Sequence, residues 1–95
     1  MLVIYKYPLI LDDWQTLELP KGYQILDIQT QLEDIFLWAL IDNEEQEMEK
    51  VTIMIIGTGR PGMQTIDKEK YKYLKTTQQP PFVWHVFQYL TDTNI

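Results

Sequence analysis

The sequence predicts an all-β fold, a single small antiparallel sandwich or barrel of about seven strands over residues 1–95. Three observations carry that prediction. Short β-branched and aromatic runs recur along the chain, several of them alternating apolar and polar residues with period two. Turn chemistry separates the runs, as Pro20-Lys21-Gly22, Gly57 to Gly62 and Gln79-Pro80-Pro81. Two of the runs, FLWALI and VTIMII, are apolar on both faces, as a strand covered on both sides requires.

Leu2 to Leu9 alternates Val3, Tyr5 and Tyr7 against Ile4 and Lys6 and meets Pro8, which predicts a strand near a sheet edge because proline cannot donate to a ladder. Asp12 and Asp13 make a polar turn. From Trp14, WQTLELP points Leu17 and Leu19 inward and Thr16 and Glu18 outward. In Leu26 to Glu33, alternation places Leu26, Ile28, Thr30 and Leu32 on one face, whereas a helical face from Ile25 would bury Gln29, so a strand is expected. Phe36 to Ile41 and Val51 to Ile56 are expected to form a central hairpin around the charged link from Asp42 to Glu49. Lys70 to Gln78 interleaves tyrosines and lysines as a strand with one wet face. Phe82 to Leu90 closes the fold, with Phe82, Trp84 and Val86 on one face and Val83, His85, Phe87 and Tyr89 on the other. Met63 to Glu69 is polar and irregular, and Thr91 to Ile95 is expected to fray.

Ninety-five residues bury one core, and an apolar content of 45% is too rich for disorder. No run approaches the length of a membrane span, and MLVIYKYPLI lacks the features of a signal peptide. With no cysteine there is no disulfide framework, and the cytoplasm is the expected compartment. The net charge of −6 is concentrated in Asp42, Glu44, Glu45, Glu47 and Glu49; outside that block 8 basic residues face 9 acidic ones. Duplex nucleic acid, which is held by neutralising several phosphates, is therefore not expected as a partner. The acidic segment reads as a solvated loop, since it lacks the glycine and ordered ligand spacing of a calcium loop.

Serine is absent as well as cysteine, which removes the two commonest side-chain nucleophiles for acyl transfer. A single histidine and no thiol exclude the multi-histidine and thiolate zinc sites. Asp12, Asp13, Asp27 and Asp67 show no pairing of the kind acid–base catalysis needs. No cofactor motif occurs; GTGRPG has neither the spacing nor the lysine of a Walker loop. The expectation is a protein that binds rather than one that reacts, with no catalytic or metal-ligating residues assigned.

The candidate site is Gly57-Thr58-Gly59-Arg60. Its structural account is a strand end where glycine permits positive φ. Its functional account is an anion-binding nest in which backbone N–H groups converge, the Thr58 hydroxyl donates, and Arg60, the one arginine of the chain, supplies a fork matched to phosphate or carboxylate. Tyr73, Trp84 and His85 join these four residues as candidate ligand-binding groups. For His85 a packed core histidine is the competing account, and for the tyrosines ordinary core packing.

The blocks KYPL, LELPKG, ILDIQTQ, FLWALID, IIGTGRP, YLKT and FVWHVF, in that order from about Tyr5 to Phe87, resemble a family of small proteins common in bacteriophage genomes and prophages. Its pattern is KYPL, LPxG, LWALVD, GTG, VWHVF, and its members often carry His after the GTG block, where this chain has Arg60. The resemblance implies a phage-encoded accessory protein acting in the host cytoplasm, and it assigns no activity. Small phage proteins of this kind often act by binding. Sequestration of a signalling nucleotide at the GTGRPG loop, as a counter-defence role, is one expectation. Docking on a host protein through the acidic loop 42–49 is the alternative, and unpaired sheet edges point to homo-oligomers.

Overall fold

The computed structural model describes residues 1–11, 14–61 and 68–90. The expected turn at Asp12 and Asp13, Gly62, most of the segment from Met63, Asp67 and the tail from Thr91 lie outside those residues. Among the described residues there are seven strands: β1 (Leu2–Leu9), β2 (Trp14–Pro20), β3 (Gln24–Gln31), β4 (Asp34–Asp42), β5 (Met48–Gly57), β6 (Tyr71–Gln79) and β7 (Phe82–Tyr89). A single 3₁₀ turn, Lys68–Lys70, leads into β6. All pairings are antiparallel, in a three-stranded sheet ordered β1-β4-β3 and a four-stranded sheet ordered β2-β5-β7-β6. The fold is therefore all-β, and a sandwich rather than a barrel, because the two sheets share no backbone ladder.

The core lies between the sheets and follows from strand alternation. Ile35, Leu37, Ala39 and Ile41 point inward from β4, and Val51, Ile53 and Ile55 from β5. Leu19 of β2, Ile28 of β3 and Val86 of β7 complete the packed layer. Full burial of each Leu, Ile or Val among them is worth roughly 1.5–3 kcal/mol. Pro8 sits in β1 at the edge of its sheet, as its missing N–H demands, although the strand runs on to Leu9, which is buried. Leu17 and Leu19 face inward and Thr16 and Glu18 outward.

Two sequence expectations are corrected. FLWALI and VTIMII do not form a hairpin: β4 lies at the centre of one sheet and β5 within the other. Their link crosses between layers, so each apolar strand finds a separate pair of neighbours. The outer face of β4, with Phe36, Trp38 and Leu40, is half-buried rather than covered. The second correction concerns β3, which starts at Gln24 and carries a bulge between Ile25 and Asp27. The extra residue, Leu26, is turned out to solvent, and Leu32 falls in the following turn at φ 59° with 94% of its surface exposed. Only Ile28 and Thr30 of the predicted inward set remain inward. A matching irregularity in β6 between Tyr73 and Lys75 shifts that strand too, so that Thr77 becomes a buried inward residue.

The bulged edges of β3 and β6 meet along one side of the sandwich, held by side chains. Thr77 Oγ1 accepts the Thr30 N–H at 3.2 Å and shares a hydrogen bond with Thr30 Oγ1 at 2.8 Å. Lys75 pairs with Asp27 at 3.0 Å, and Asp27 also accepts the Ile28 N–H at 2.8 Å. These contacts occupy edge donors that would otherwise be open to another strand.

Candidate functional site

The outer face of the four-stranded sheet carries most of the predicted site. Along β7, residues 83, 85, 87 and 89 face outward while Trp84 and Val86 face inward, as alternation requires. His85 lies opposite Ile56 of β5 on one side and Thr76 of β6 on the other. Phe87 lies between Met54 and Tyr73 in the same way. The register therefore brings the end of β5, where the glycine turn begins, beside His85 and Tyr73.

The turn itself closes with the Arg60 N–H donating to the Gly57 carbonyl at 3.1 Å, and Gly59 takes φ 82°. Positive φ at the third position is the reason glycine is needed there. Gly57 is favoured on different grounds: a Cβ on it would stand 3.2 Å from the Trp84 ring and 3.3 Å from Arg60 Cγ, so those side chains would have to give way by a few tenths of an ångström. The expected nest of converging amides is not made. The Thr58 N–H is spent on the Val83 carbonyl at 3.2 Å and the Arg60 N–H on the turn, so the donors left are the Gly59 N–H, the Thr58 hydroxyl and the guanidinium. Among the described residues no carboxylate lies within ion-pair distance of Arg60.

Ile56, Gly57, Thr58, Gly59, Arg60, His85 and Phe87 line a recess of about 280 Å³. Within it the His85 ring is held at both nitrogens. Nε2 shares a hydrogen bond with Thr58 Oγ1 at 2.7 Å, and Nδ1 with Thr76 Oγ1 at 3.0 Å. Thr76 Oγ1 in turn meets the Tyr73 hydroxyl at 2.7 Å. His85 is thus not a packed core histidine: it is half-buried and lines the recess beside Phe87. It is the middle of a polar chain across an outer sheet face.

Five of the seven predicted residues, Gly57, Thr58, Gly59, Arg60 and His85, line the recess, and Tyr73 is tied to it from outside through Thr76. Trp84 does not join them: adjacent strand residues point to opposite faces, and its indole N–H donates to Gln79 Oε1 at 3.0 Å on the inner side. It supports the turn from behind, against Gly57. Beyond the recess the same outer face carries an aromatic cluster. Trp14 meets Tyr71 and Tyr89 at 5.9 and 5.6 Å, and Phe87 meets Tyr73 at 5.7 Å between ring centroids. Burial pushes the Tyr71 phenol above its ordinary range, and its hydroxyl is enclosed without a hydrogen-bond partner among the described residues.

Sequence reasoning missed a cleft of about 670 Å³ where the β3 and β6 edges diverge. Tyr23, Asp27, Glu49, Lys72 and Gln88 are among its lining, and the Gln88 amide donates to the Tyr23 hydroxyl at 2.8 Å. Leu26 and Leu74, the extra residues of the two bulges, also line it. No periodicity flags such a place, because it exists only where two bulges face each other across a sheet edge. The acidic loop is largely engaged within the chain. Asp42 and Glu44 meet the Met1 ammonium at 2.8 and 3.5 Å, Glu47 meets Lys21 at 3.3 Å, and Glu49 accepts the Gly22 N–H at 3.3 Å. The hydrogen bond with Asp42 raises the Met1 amine above its usual range and holds the Asp42 carboxyl below its own. Among the described residues no group of three metal-ligating side chains forms, and no helix is long and apolar enough to cross a membrane.

No curated protein and no solved structure matches the chain. One family does: residues 1–94 match the domain of unknown function DUF7352, and the chain belongs to that family.

Proposed function

We propose that the protein is a non-enzymatic binding module that takes a small anionic ligand, of the signalling-nucleotide kind, at the Gly57–Arg60 turn. The observation that carries this reading is the convergence of an arginine without an ion-pair partner among the described residues, the Thr58 hydroxyl and His85 around one recess. A guanidinium and a hydroxyl at one site suit a phosphate or carboxylate. The absence of serine and cysteine supports binding without covalent chemistry. The ordered sequence blocks support a phage accessory protein, and sequestering a host signalling nucleotide in the host cytoplasm is the counter-defence role that fits such a site.

Docking on a host protein through the loop 42–49 ranks second, because its carboxylates already have partners within the chain. Co-purification of a host protein that disappears when Glu44, Glu45 and Glu47 become Gln would favour it.

The test is thermal. A ligand that binds only the folded state at a hundred times its Kd stabilises it by about 2.7 kcal/mol, a readable rise in melting temperature. Inorganic phosphate and a panel of linear and cyclic nucleotides are expected to produce that rise in the native protein. Arg60→Ala and Thr58→Val are expected to abolish it without lowering the ligand-free melting temperature by more than a few degrees. Bound nucleotide is expected to be recovered intact on denaturation. A panel without any shift refutes the reading, and so does recovery of a chemically altered ligand. Light scattering of the same samples reports whether copies associate.

A further inference from the structure

The hydrogen-bonded chain Thr58–His85–Thr76–Tyr73 has a property that its separate bonds lack: it has a direction. Each hydroxyl carries one proton, and a neutral imidazole carries one proton on its two nitrogens. Thr76 Oγ1 contacts both His85 Nδ1 and the Tyr73 hydroxyl, so its single proton serves only one of them. The four groups therefore have two families of arrangement, one for each imidazole tautomer. In one, Thr58 donates to Nε2, Nδ1–H donates to Thr76, and the Thr76–Tyr73 bond can run either way, because Thr76 Oγ1 has a second lone pair to accept from Tyr73. In the other, Tyr73 donates to Thr76, Thr76 donates to Nδ1, and Nε2–H donates to Thr58, whose proton is released toward the recess.

An anion beside Arg60 accepts protons and has none to give. It selects the second arrangement, in which the Thr58 hydroxyl points at it. The same selection turns the Tyr73 hydroxyl inward and leaves its outer lone pairs as acceptors. Tyr73 is 56% exposed, so those lone pairs reach solvent or a ligand. Between the two ends lies Phe87, which lines the recess and meets the Tyr73 ring at 5.7 Å. A recess of about 280 Å³ has room for a phosphate and part of a sugar. It falls just under the roughly 300–1,000 Å³ of sites that enclose a whole small molecule. A ring attached to such an anion would extend past the recess toward the Phe87–Tyr73 pair.

We propose that the ligand is a nucleoside phosphate read at both ends of this chain: phosphate at Thr58 and Arg60, base on Phe87 and Tyr73, and a ligand N–H or O–H donating to the Tyr73 hydroxyl, with His85 as the positioning residue that couples the two ends. This deepens the proposed function and rests on it. The coupling fixes Tyr73 as an outward acceptor once the anion is in place, whereas without it the hydroxyl turns either way; a phosphate that brings no donor gains nothing from Tyr73.

The chain has one histidine, which makes the coupling directly observable. Long-range ¹H–¹⁵N spectra of histidine-labelled protein distinguish the two neutral tautomers from the imidazolium, and are read at the pH where they show a neutral ring. Inorganic phosphate, ribose 5-phosphate and AMP are the probes. Phosphate is expected to shift the Thr58 and Gly59 amides and to drive the imidazole to the Nε2–H tautomer. AMP is expected to bind several-fold more tightly than ribose 5-phosphate. Tyr73→Phe, which keeps the ring, is expected to weaken AMP by about threefold to tenfold, the worth of one hydrogen bond, and to leave phosphate unchanged. Thr76→Val, nearly isosteric, is expected to have the same selective effect. Saturating amide shifts with an unchanged tautomer, or AMP binding no more tightly than ribose 5-phosphate, overturn this inference and leave the anion site standing. An absence of amide shifts with every probe overturns both.

Discussion

Three residues, two in the glycine turn and one on the outer sheet face, separate conformational from polar costs. Gly59 adopts φ 82° with open space where a Cβ would stand, so Gly59→Ala is strained by its backbone alone. It is expected to lose about 1 kcal/mol of stability, seen as a lower urea midpoint with an unchanged slope. Gly57→Ala is expected to act differently, because its Cβ meets Trp84 and Arg60 and moves the arginine; phosphate affinity falls along with stability. Tyr71 is the opposite case. Its hydroxyl is enclosed without a partner among the described residues while its ring packs against Trp14 and Tyr89. Tyr71→Phe removes the unsatisfied group and keeps the ring, so the melting temperature is expected to rise, by up to about 1 kcal/mol of stability. A fall would show that the hydroxyl has a partner in the folded protein.

Among the elements, β3 and β6 show how local pattern and tertiary contact divide the work. Alternation identified both as strands, yet a single inserted residue in each changes which side chains face the core. One anchor of the seam between them is Asp27, beside the Thr30–Thr77 contact. Burial alone would push its carboxyl up, but hydrogen bonds from Lys75, Gln29 and the Ile28 N–H outweigh that and hold it below the usual 3.8. A carboxyl depressed in the folded state stabilises fully above its unfolded value and loses that contribution as pH falls through its folded value. Stability is therefore expected to fall below about pH 3.8, and Asp27→Asn is expected to flatten that part of the acid limb. Melting temperatures of the two proteins measured between about pH 2 and pH 6 decide it. Parallel curves would place the acid sensitivity elsewhere.

For the whole molecule, one shared core implies one cooperative unit. Leu37 lies at the centre of the three-stranded sheet with no exposed surface, packed toward residues of the other sheet. Leu37→Ala is expected to cost roughly 2–5 kcal/mol. Far-ultraviolet circular dichroism and tryptophan fluorescence are expected to lose signal together, since neither sheet keeps a core of its own. A residual β signal after the fluorescence transition would show that one sheet survives alone. Cooperativity also bears on the site: the turn from Gly57 to Arg60 hangs from β5 and β7, so its geometry is as stable as the sheet that carries it.

By itself the sequence determined the all-β class, the strands and most of their facing, because alternation and turn chemistry act over neighbouring residues. It also singled out the glycine turn, where the demand for positive φ is local. Tertiary structure decided which strands pair. FLWALI and VTIMII look like hairpin partners only because they are neighbours in the chain and equally apolar; burial between two sheets satisfies both without their pairing. The bulges at Leu26 and Leu74, and the cleft between them, were invisible for the same reason, since each strand alternates acceptably without its neighbour. The site shows the same division. Residues 57–60 were found from their own chemistry, whereas the bonds from His85 to Thr58 and Thr76 depend on the register of three strands. Period two also separates Trp84 from His85, and only the paired sheet shows which of the two faces carries the site.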